Sequence, residues 1–390
     1  MILVNNINYY VNLLAGDFNL EDVILIDIYN EGTRIKMQLG IIGLPLVGKT
    51  TVFELLTQSS DKSHNNARAN LGMARIPDNR IDFLSNLYKP KKTTYAQLEV
   101  IDIPGLVPGA EKTASVFLDS VRRADALLHV VRVFENDAVP TLNNEINPVK
   151  DIENINYELL LADLDLIEKR IDRINNNKKK NNFLSELTLL ERLKEALENE
   201  TPLAAVELTS EEQEILTAYQ FLTTKPILIC LNISEDDLIG KAYQQREQVL
   251  EFAIQRNLPV VEISAGIERE LAELEGEEKA IFMQELGIEE SGMVKISQSM
   301  YHRLGLASFF TVGEDEVKAW TIEEGTVARK AAGKIHSDIE RGFIRAEVVE
   351  YEDLKNLGSM NAVKEKGLFR LEGKEYLVKD GDIVHFRFNV

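Results

Sequence analysis

The sequence predicts an α/β fold on a mostly parallel sheet, with an antiparallel helical hairpin inserted into it and a smaller α+β module at the C-terminus. Three observations carry that reading. An apolar strand, Leu39–Ile42, runs through a glycine-rich turn into a helical segment, Thr51–Leu56, the order that opens a parallel sheet. Apolar, β-branched runs recur at Leu98–Asp102, Ala126–Val133, Pro226–Asn232 and Val260–Ile263, the composition of strands covered by helices on both faces. Between about Pro140 and Thr223 that pattern gives way to a charged stretch in which Leu160, Leu164, Ile167, Ile171 and Ile174 recur at steps of four and three.

That stripe predicts a long helix packed on another. Asn175–Asn182 would form the tip, and Phe183, Leu187, Leu190, Leu193 and Leu197 would line the returning helix, so an antiparallel hairpin is the simplest account. From about Leu306 short strands alternate with glycine and acidic turns: Leu377-Val378, the turn Lys379–Asp382, then Ile383–Phe388. The expected units are residues 37–140 with 223–305, an inserted hairpin at 141–222, and a C-terminal module at 306–390. Residues 1–36, with apolar runs such as Val23–Ile28, stay open between an added element at the sheet edge and an upstream-translated extension ahead of a start at Met37.

A length of 390 residues suits two or three domains, and 44% hydrophobic against 28% charged residues can build their cores without disulfides or metals. The formal charge of -20 repels phosphate backbones over most of the surface. It argues against sequence-specific DNA binding and leaves room only for a local basic patch such as Lys178–Lys180. Cys230 is the single cysteine and the five histidines lack zinc-cluster spacing, so neither a disulfide nor a structural metal is expected. With no apolar run of about 18 residues and no export signal, the chain reads as cytoplasmic and not as a membrane protein.

The chemistry concentrates in Gly43-Leu44-Pro45-Leu46-Val47-Gly48-Lys49-Thr50, which fits G-x-x-x-x-G-K-[ST] in full and sits between strand and helix as a phosphate-binding loop must. The backbone amides from Gly43 to Thr51 would cradle phosphates at a helix N-terminus. Lys49 would reach the terminal oxygens, and the Thr50 hydroxyl would coordinate Mg²⁺. Asp102-Ile103-Pro104-Gly105 follows a strand, placing Asp102 to hold a water on Mg²⁺ and the Gly105 amide to sense a γ-phosphate. Lys49 and Gly105 are therefore the catalytic candidates, and Thr50 and Asp102 the metal candidates. Asn232-Ile233-Ser234-Glu235 and Ser264-Ala265 end two later strands, where a base would lie. Lys49-Thr50 directly after Gly48 argues against a dinucleotide dehydrogenase. His64 reads as an exposed loop residue, His129 as core, and His336 as a fold or surface residue; none is a catalytic candidate.

With these motifs in this order, the chain from Met37 to Val390 resembles the YchF/Obg-like ATPase family of translation-factor-related P-loop GTPases. Phe309–Gly313, Val317–Ile322, Ala331–Asp338 and Gly342–Ala346 look like its C-terminal TGS domain, a β-grasp-like module. The family replaces the guanine-reading Asn-Lys-x-Asp by Asn-x-x-Glu, which Asn232 and Glu235 match. The resemblance thus implies Mg²⁺-dependent binding and slow hydrolysis of ATP, with GTP as the second nucleotide the site could take. The longer Glu235 side chain displaces the carboxylate that would pair with guanine's N–H donors. Leu106 stands where Ras-like enzymes carry a water-orienting glutamine.

Two departures from the family pattern bear on turnover more than on binding. Ser63–Asn70 leads directly into Leu71-Gly72 without the family's Phe-Cys-Thr-Ile segment, and Gly109–Ser115 passes at once into Val116-Phe117-Leu118 without the glycine-rich extension of the second switch. The expected function is therefore a translation-associated NTPase, with contact to the ribosome or ribosomal RNA through the hairpin and the C-terminal module. The alternative is a ribosome- or RNA-associated interaction protein in which nucleotide is structural and hydrolysis is lost.

Overall fold

The structure, a computed structural model, describes residues 37–58, 69–107, 111–136, 139–140, 145–240 and 242–389. The readings of residues 1–36, of His64 and of Gly109-Ala110 lie outside the described residues.

Strand β1 (Gln38–Ile42) is buried in all but its first residue and leads through the glycine-rich turn into α1 (Lys49–Thr57). The chain continues through β2 (Asn70–Arg75), α2 (Asn79–Tyr88), β3 (Lys92–Thr94), β4 (Gln97–Asp102), α3 (Glu111–Arg123) and β5 (Ala126–Arg132). Three helices follow, α4 (Pro148–Asn175), α5 (Leu184–Glu198) and α6 (Ser210–Leu216). Then come β6 (Ile227–Asn232), α7 (Glu235–Gly240), α8 (Arg246–Gln255), β7 (Val260–Ile263), α9 (Ala265–Glu273), α10 (Gly276–Glu285) and α11 (Gly292–Arg303).

The first sheet has the order β2-β4-β1-β5-β6-β7, and all its neighbours are parallel except β2, which runs antiparallel to β4. Strands covered on both faces need no polar alternation, and every residue of β5 is buried. All five apolar runs expected as buried strands form strands of this sheet, but Val260–Ile263 becomes its edge strand β7, with only Ile263 buried. The edge strand β2 was not foreseen, because Asn70-Leu71-Gly72-Met73 has neither a β-branched run nor a buried alternation: Leu71 and Met73 face solvent.

The hairpin forms as its stripe requires. Asn147 caps α4 by accepting from the Lys150 N–H at 3.1 Å, with Pro148 at the first helical position, where its missing N–H costs nothing. Ile167 and Ile174 pack on Leu187, Leu190, Leu193 and Leu197 of α5, and Leu160, Leu164 and Ile171 flank them half-buried. Arg170 grips Glu186 across the pair through two bonds of 2.8 and 2.9 Å. At the hairpin's root, fully buried Asp163 accepts from the Leu222 and Thr223 amides at 2.9 and 2.8 Å and from the Thr223 hydroxyl at 2.8 Å. These bonds fasten α4 to the turn that feeds β6.

The C-terminal part adds β8 (Leu306–Thr311), β9 (Glu316–Glu323), α12 (Ala328–Ile335), α13 (Ser337–Arg341), β10 (Phe343–Glu350), α14 (Tyr351–Leu357), α15 (Met360–Glu365), β11 (Arg370–Glu372) and β12 (Asp382–Phe388). Their sheet has the order β11-β10-β12-β8-β9-β3, so β3, far earlier in the chain, closes its edge parallel to β9. Leu377-Val378 does not form the expected strand. Leu377 makes one bridge to Val327, while the Val378 N–H goes to the Thr326 carbonyl and the Lys379 N–H to Asp382, leaving no ladder to extend. His336 caps α13, its Nδ1 accepting from the Asp338 N–H at 3.1 Å.

One apolar core runs between the two sheets, joining Ile81 and Leu84 of α2 to Phe310, Val317, Tyr351 and Leu354. Beside it, Arg80 of α2 bonds Asp380 at 2.6 Å and its own neighbour Asp78 at 2.8 Å, and Asp380 in turn accepts from the Ser308 N–H at 2.8 Å.

Candidate nucleotide site

The turn between β1 and α1 takes its shape from two glycines at positive φ, Gly43 at 145° and Gly48 at 100°. Gly48 is also crowded: a Cβ there would stand 2.5 Å from Asn232 Nδ2. Its carbonyl accepts from the Val52 N–H at 3.0 Å, starting α1 directly beneath the loop. Leu44 and Val47 anchor the loop in the core, whereas Leu46, at φ 63°, stays exposed.

Lys49 is buried, and its ammonium donates to the Leu44 carbonyl at 2.7 Å across the mouth of the loop. Burial draws its pKa down to about 8, partly opposed by the nearby Asp102 carboxylate. It is therefore cationic at neutral pH, desolvated and aimed at the concave side of the turn. The Thr50 hydroxyl donates to Asp102 Oδ2 at 2.9 Å, joining two hard oxygen donors from α1 and the end of β4. Beyond Asp102, the Ile103 N–H reaches the Ile41 carbonyl at 3.1 Å and the Leu106 N–H reaches Gly43 at 3.3 Å. Gly105 thereby lies against the loop, where a Cβ would meet Lys49 Nζ at 2.9 Å and Pro45 N at 3.0 Å. Leu106 is fully buried.

The far wall comes from β6 and β7. Asn232 Nδ2 donates to the Val47 carbonyl at 3.0 Å, and its Oδ1 accepts from the Ala265 N–H at 3.1 Å. One buried amide therefore ties the phosphate loop to the start of α9 and holds two parts of the site in register. Ser264 caps α9, and Glu235 sits exposed at the start of α7, its carboxylate beside Gly266. Ile233 does not join this cluster: its side chain packs with Val131, Ile229 and Val249 and its N–H is taken by Ile263. Thr51 lies in the first turn of α1, half-buried.

One supporting residue escaped sequence reasoning. Buried Glu268 accepts from the Ser291 hydroxyl and the Gly292 N–H, both at 2.6 Å, bracing the Ser264-Ala265 turn against α11. His129, on β5, is buried as expected, but both ring nitrogens lack a hydrogen-bond partner. Burial, with the Lys49 charge behind it, draws its pKa down to about 3 and keeps it neutral. Among the described residues no group of three or more His, Cys, Asp or Glu side chains could hold a metal ion by itself. A metal here would need oxygens from a ligand to complete its shell.

The chain is similar to known proteins. Residues 306–389 match a family model for the YchF GTPase C-terminal region, described as a protein of unknown function, and residues 38–163 match one described as 50S ribosome-binding GTPase. The chain is 46% identical over 361 residues to the ribosome-binding ATPase YchF of Bacillus subtilis, spanning 90% of this chain and 99% of that protein. The chain belongs to the YchF family. The YchF of Haemophilus influenzae is 43% identical over 360 residues with the same coverage. The solved YchF GTPase of Schizosaccharomyces pombe superposes with a TM-score of 0.82 at 30% identity, over 91% of this chain and 98% of that one. The two family models take in the phosphate loop and the C-terminal strands β8 to β12. No helix among the described residues is long and apolar enough to cross a membrane.

Proposed function

We propose that this chain is a cytoplasmic, translation-associated NTPase that binds ATP with Mg²⁺ and hydrolyses it slowly, with GTP as a poorer alternative. The observation that carries the reading is the Lys49, Thr50 and Asp102 constellation: a desolvated cation in a phosphate loop, beside a hydroxyl and carboxylate 2.9 Å apart. Relatives named ribosome-binding ATPases support the same conclusion.

The donor set suits Mg²⁺, which favours oxygen ligands and keeps several waters. Thr50 would ligate it, Asp102 would hold one of its waters, and the bound ion would neutralise charge on the β- and γ-phosphates. The N–H groups between Gly43 and Thr51, all but that of Pro45, which has none, receive the phosphate oxygens, and Lys49 stabilises the charge that grows on them as water attacks the γ-phosphorus. The Gly105 amide orients the γ-phosphate. With Leu106 buried where a water-orienting side chain would serve, electrostatic positioning supplies the rate enhancement, and turnover is slow. Glu235 reads the base together with Asn232, Ser264 and Ala265.

In this reading, residues 37–140 with 223–305 form the nucleotide domain, 141–222 the hairpin arm and 306–390 a TGS domain of β-grasp type, in an Obg-related family. The arm's Lys178–Lys180 tip and the TGS sheet meet the ribosome or its RNA. The second reading, a ribosome-associated protein with structural nucleotide, is favoured by the sequence, in which Gly109–Ser115 passes at once into Val116-Phe117-Leu118. Steady-state phosphate release decides between them: wild type should turn over ATP with Mg²⁺, and Lys49→Ala should lose about a hundredfold or more. Absence of turnover in pure wild type, or activity unchanged by Lys49→Ala, would support the second.

A further inference from the structure

Gly266 is the second residue of α9, where glycine costs helix stability relative to alanine. Its φ is not positive, so the backbone does not demand glycine. What demands it is a neighbour. A Cβ at this position would stand 2.6 Å from Glu235 Oε1, whereas the next nearest atoms, Glu235 Cδ and Ser264 Oγ, would be 3.6 Å away. Among the described residues no hydrogen bond or ion pair fixes the Glu235 carboxylate. It stands in the space that a side chain at position 266 would take, at the carboxyl ends of β6 and β7 and next to the Asn232–Ala265 bond.

We infer that Gly266 is a specificity-determining residue for the purine base, because its missing side chain leaves the space in which the Glu235 carboxylate stands. The inference rests on the proposed reading that Glu235 accepts hydrogen bonds from the base. Adenine presents its amino group at one ring position, and guanine presents a ring N–H and an amino group on another edge. A carboxylate displaced by the width of a methyl group therefore meets a different set of donors. Since the obstructed atom is the free end of a flexible side chain, Gly266→Ala moves Glu235 rather than the backbone, and the fold should tolerate it.

The test is calorimetric titration of wild type, Gly266→Ala, Glu235→Ala and the double variant with non-hydrolysable ATP and GTP analogues, and with tripolyphosphate as a probe lacking a base. Gly266→Ala should lower the ratio of ATP to GTP affinity by at least about threefold, leaving tripolyphosphate affinity and the thermal midpoint unchanged. Glu235→Ala should lower the ratio at least as far, and the double variant should match Glu235→Ala alone. An unchanged ratio in Gly266→Ala beside a collapsed one in Glu235→Ala would overturn the inference and leave the base-reading role standing. So would an additive effect in the double variant, or equal weakening of all three ligands. An unchanged ratio in Glu235→Ala would remove the reading beneath it as well.

Discussion

His129 lies under the phosphate loop with both nitrogens unpaired, in a strand where every neighbour is apolar or backbone-bonded. Its pKa falls from 6.5 to about 3 on folding, so the unfolded chain takes up a proton below pH 6.5 that the folded chain refuses until about pH 3. The proton-linked cost of this residue is therefore absent above pH 6.5 and destabilises the fold progressively as pH drops through that window. His129→Leu should gain about 2 kcal/mol on wild type between pH 7 and pH 5, read from urea midpoints at each pH. A gain independent of pH would mean that the imidazole is protonated or solvated in the native state. Residue-scale legibility was uneven for a physical reason. Gly43–Thr50 is a contiguous motif whose chemistry is local, and Asp102 and Asn232 announce themselves at strand ends. The bond from Asn232 to Val47 spans 185 positions, and the Glu268–Ser291 brace joins neutral and backbone donors to a lone carboxylate. Neither leaves a mark in local sequence.

The hairpin was readable because helix periodicity exposes its buried face, and its core residues match the stripe. The stripe alone did not reveal how the arm is fixed. Asp163, polar in an apolar row, takes three bonds from Leu222 and Thr223 and makes the arm continuous with the sheet. Asp163→Ala should cost about 3 kcal/mol by orphaning two buried amides, and should speed protease cleavage near Phe221–Lys225. Wild-type stability in that variant would show that water replaces the carboxylate without loss. The strands β2 and β3 were invisible for the opposite reason. They are short edge strands set by pairing with distant partners, Gly72 with Val100 and Thr93 with Val317, and carry no periodic signal of their own.

Across the whole molecule, the nucleotide sheet and the C-terminal sheet share a core, and α2 with β3 bridges them through Arg80, Asp380 and the β3–β9 pairing. The arm projects from the same body and carries three lysines at its tip on a chain of formal charge -20. If that tip meets ribosomal RNA, reversing Lys178–Lys180 to glutamate should weaken ribosome co-sedimentation and reduce the salt dependence of binding, by a log–log slope of about 2. ATP turnover should be untouched. Unaltered co-sedimentation would assign the ribosome contact to the C-terminal sheet instead.

The central claim is that Gly43–Thr50 with Asp102 forms a working Mg²⁺–nucleotide site. Calorimetric titration of wild-type protein with a non-hydrolysable ATP analogue, with and without Mg²⁺, tests it most directly. The account predicts saturable one-to-one binding that strengthens with Mg²⁺, exceeds that of the GTP analogue and disappears in Lys49→Ala. Binding of neither nucleotide, or binding indifferent to both Mg²⁺ and Lys49, would contradict it.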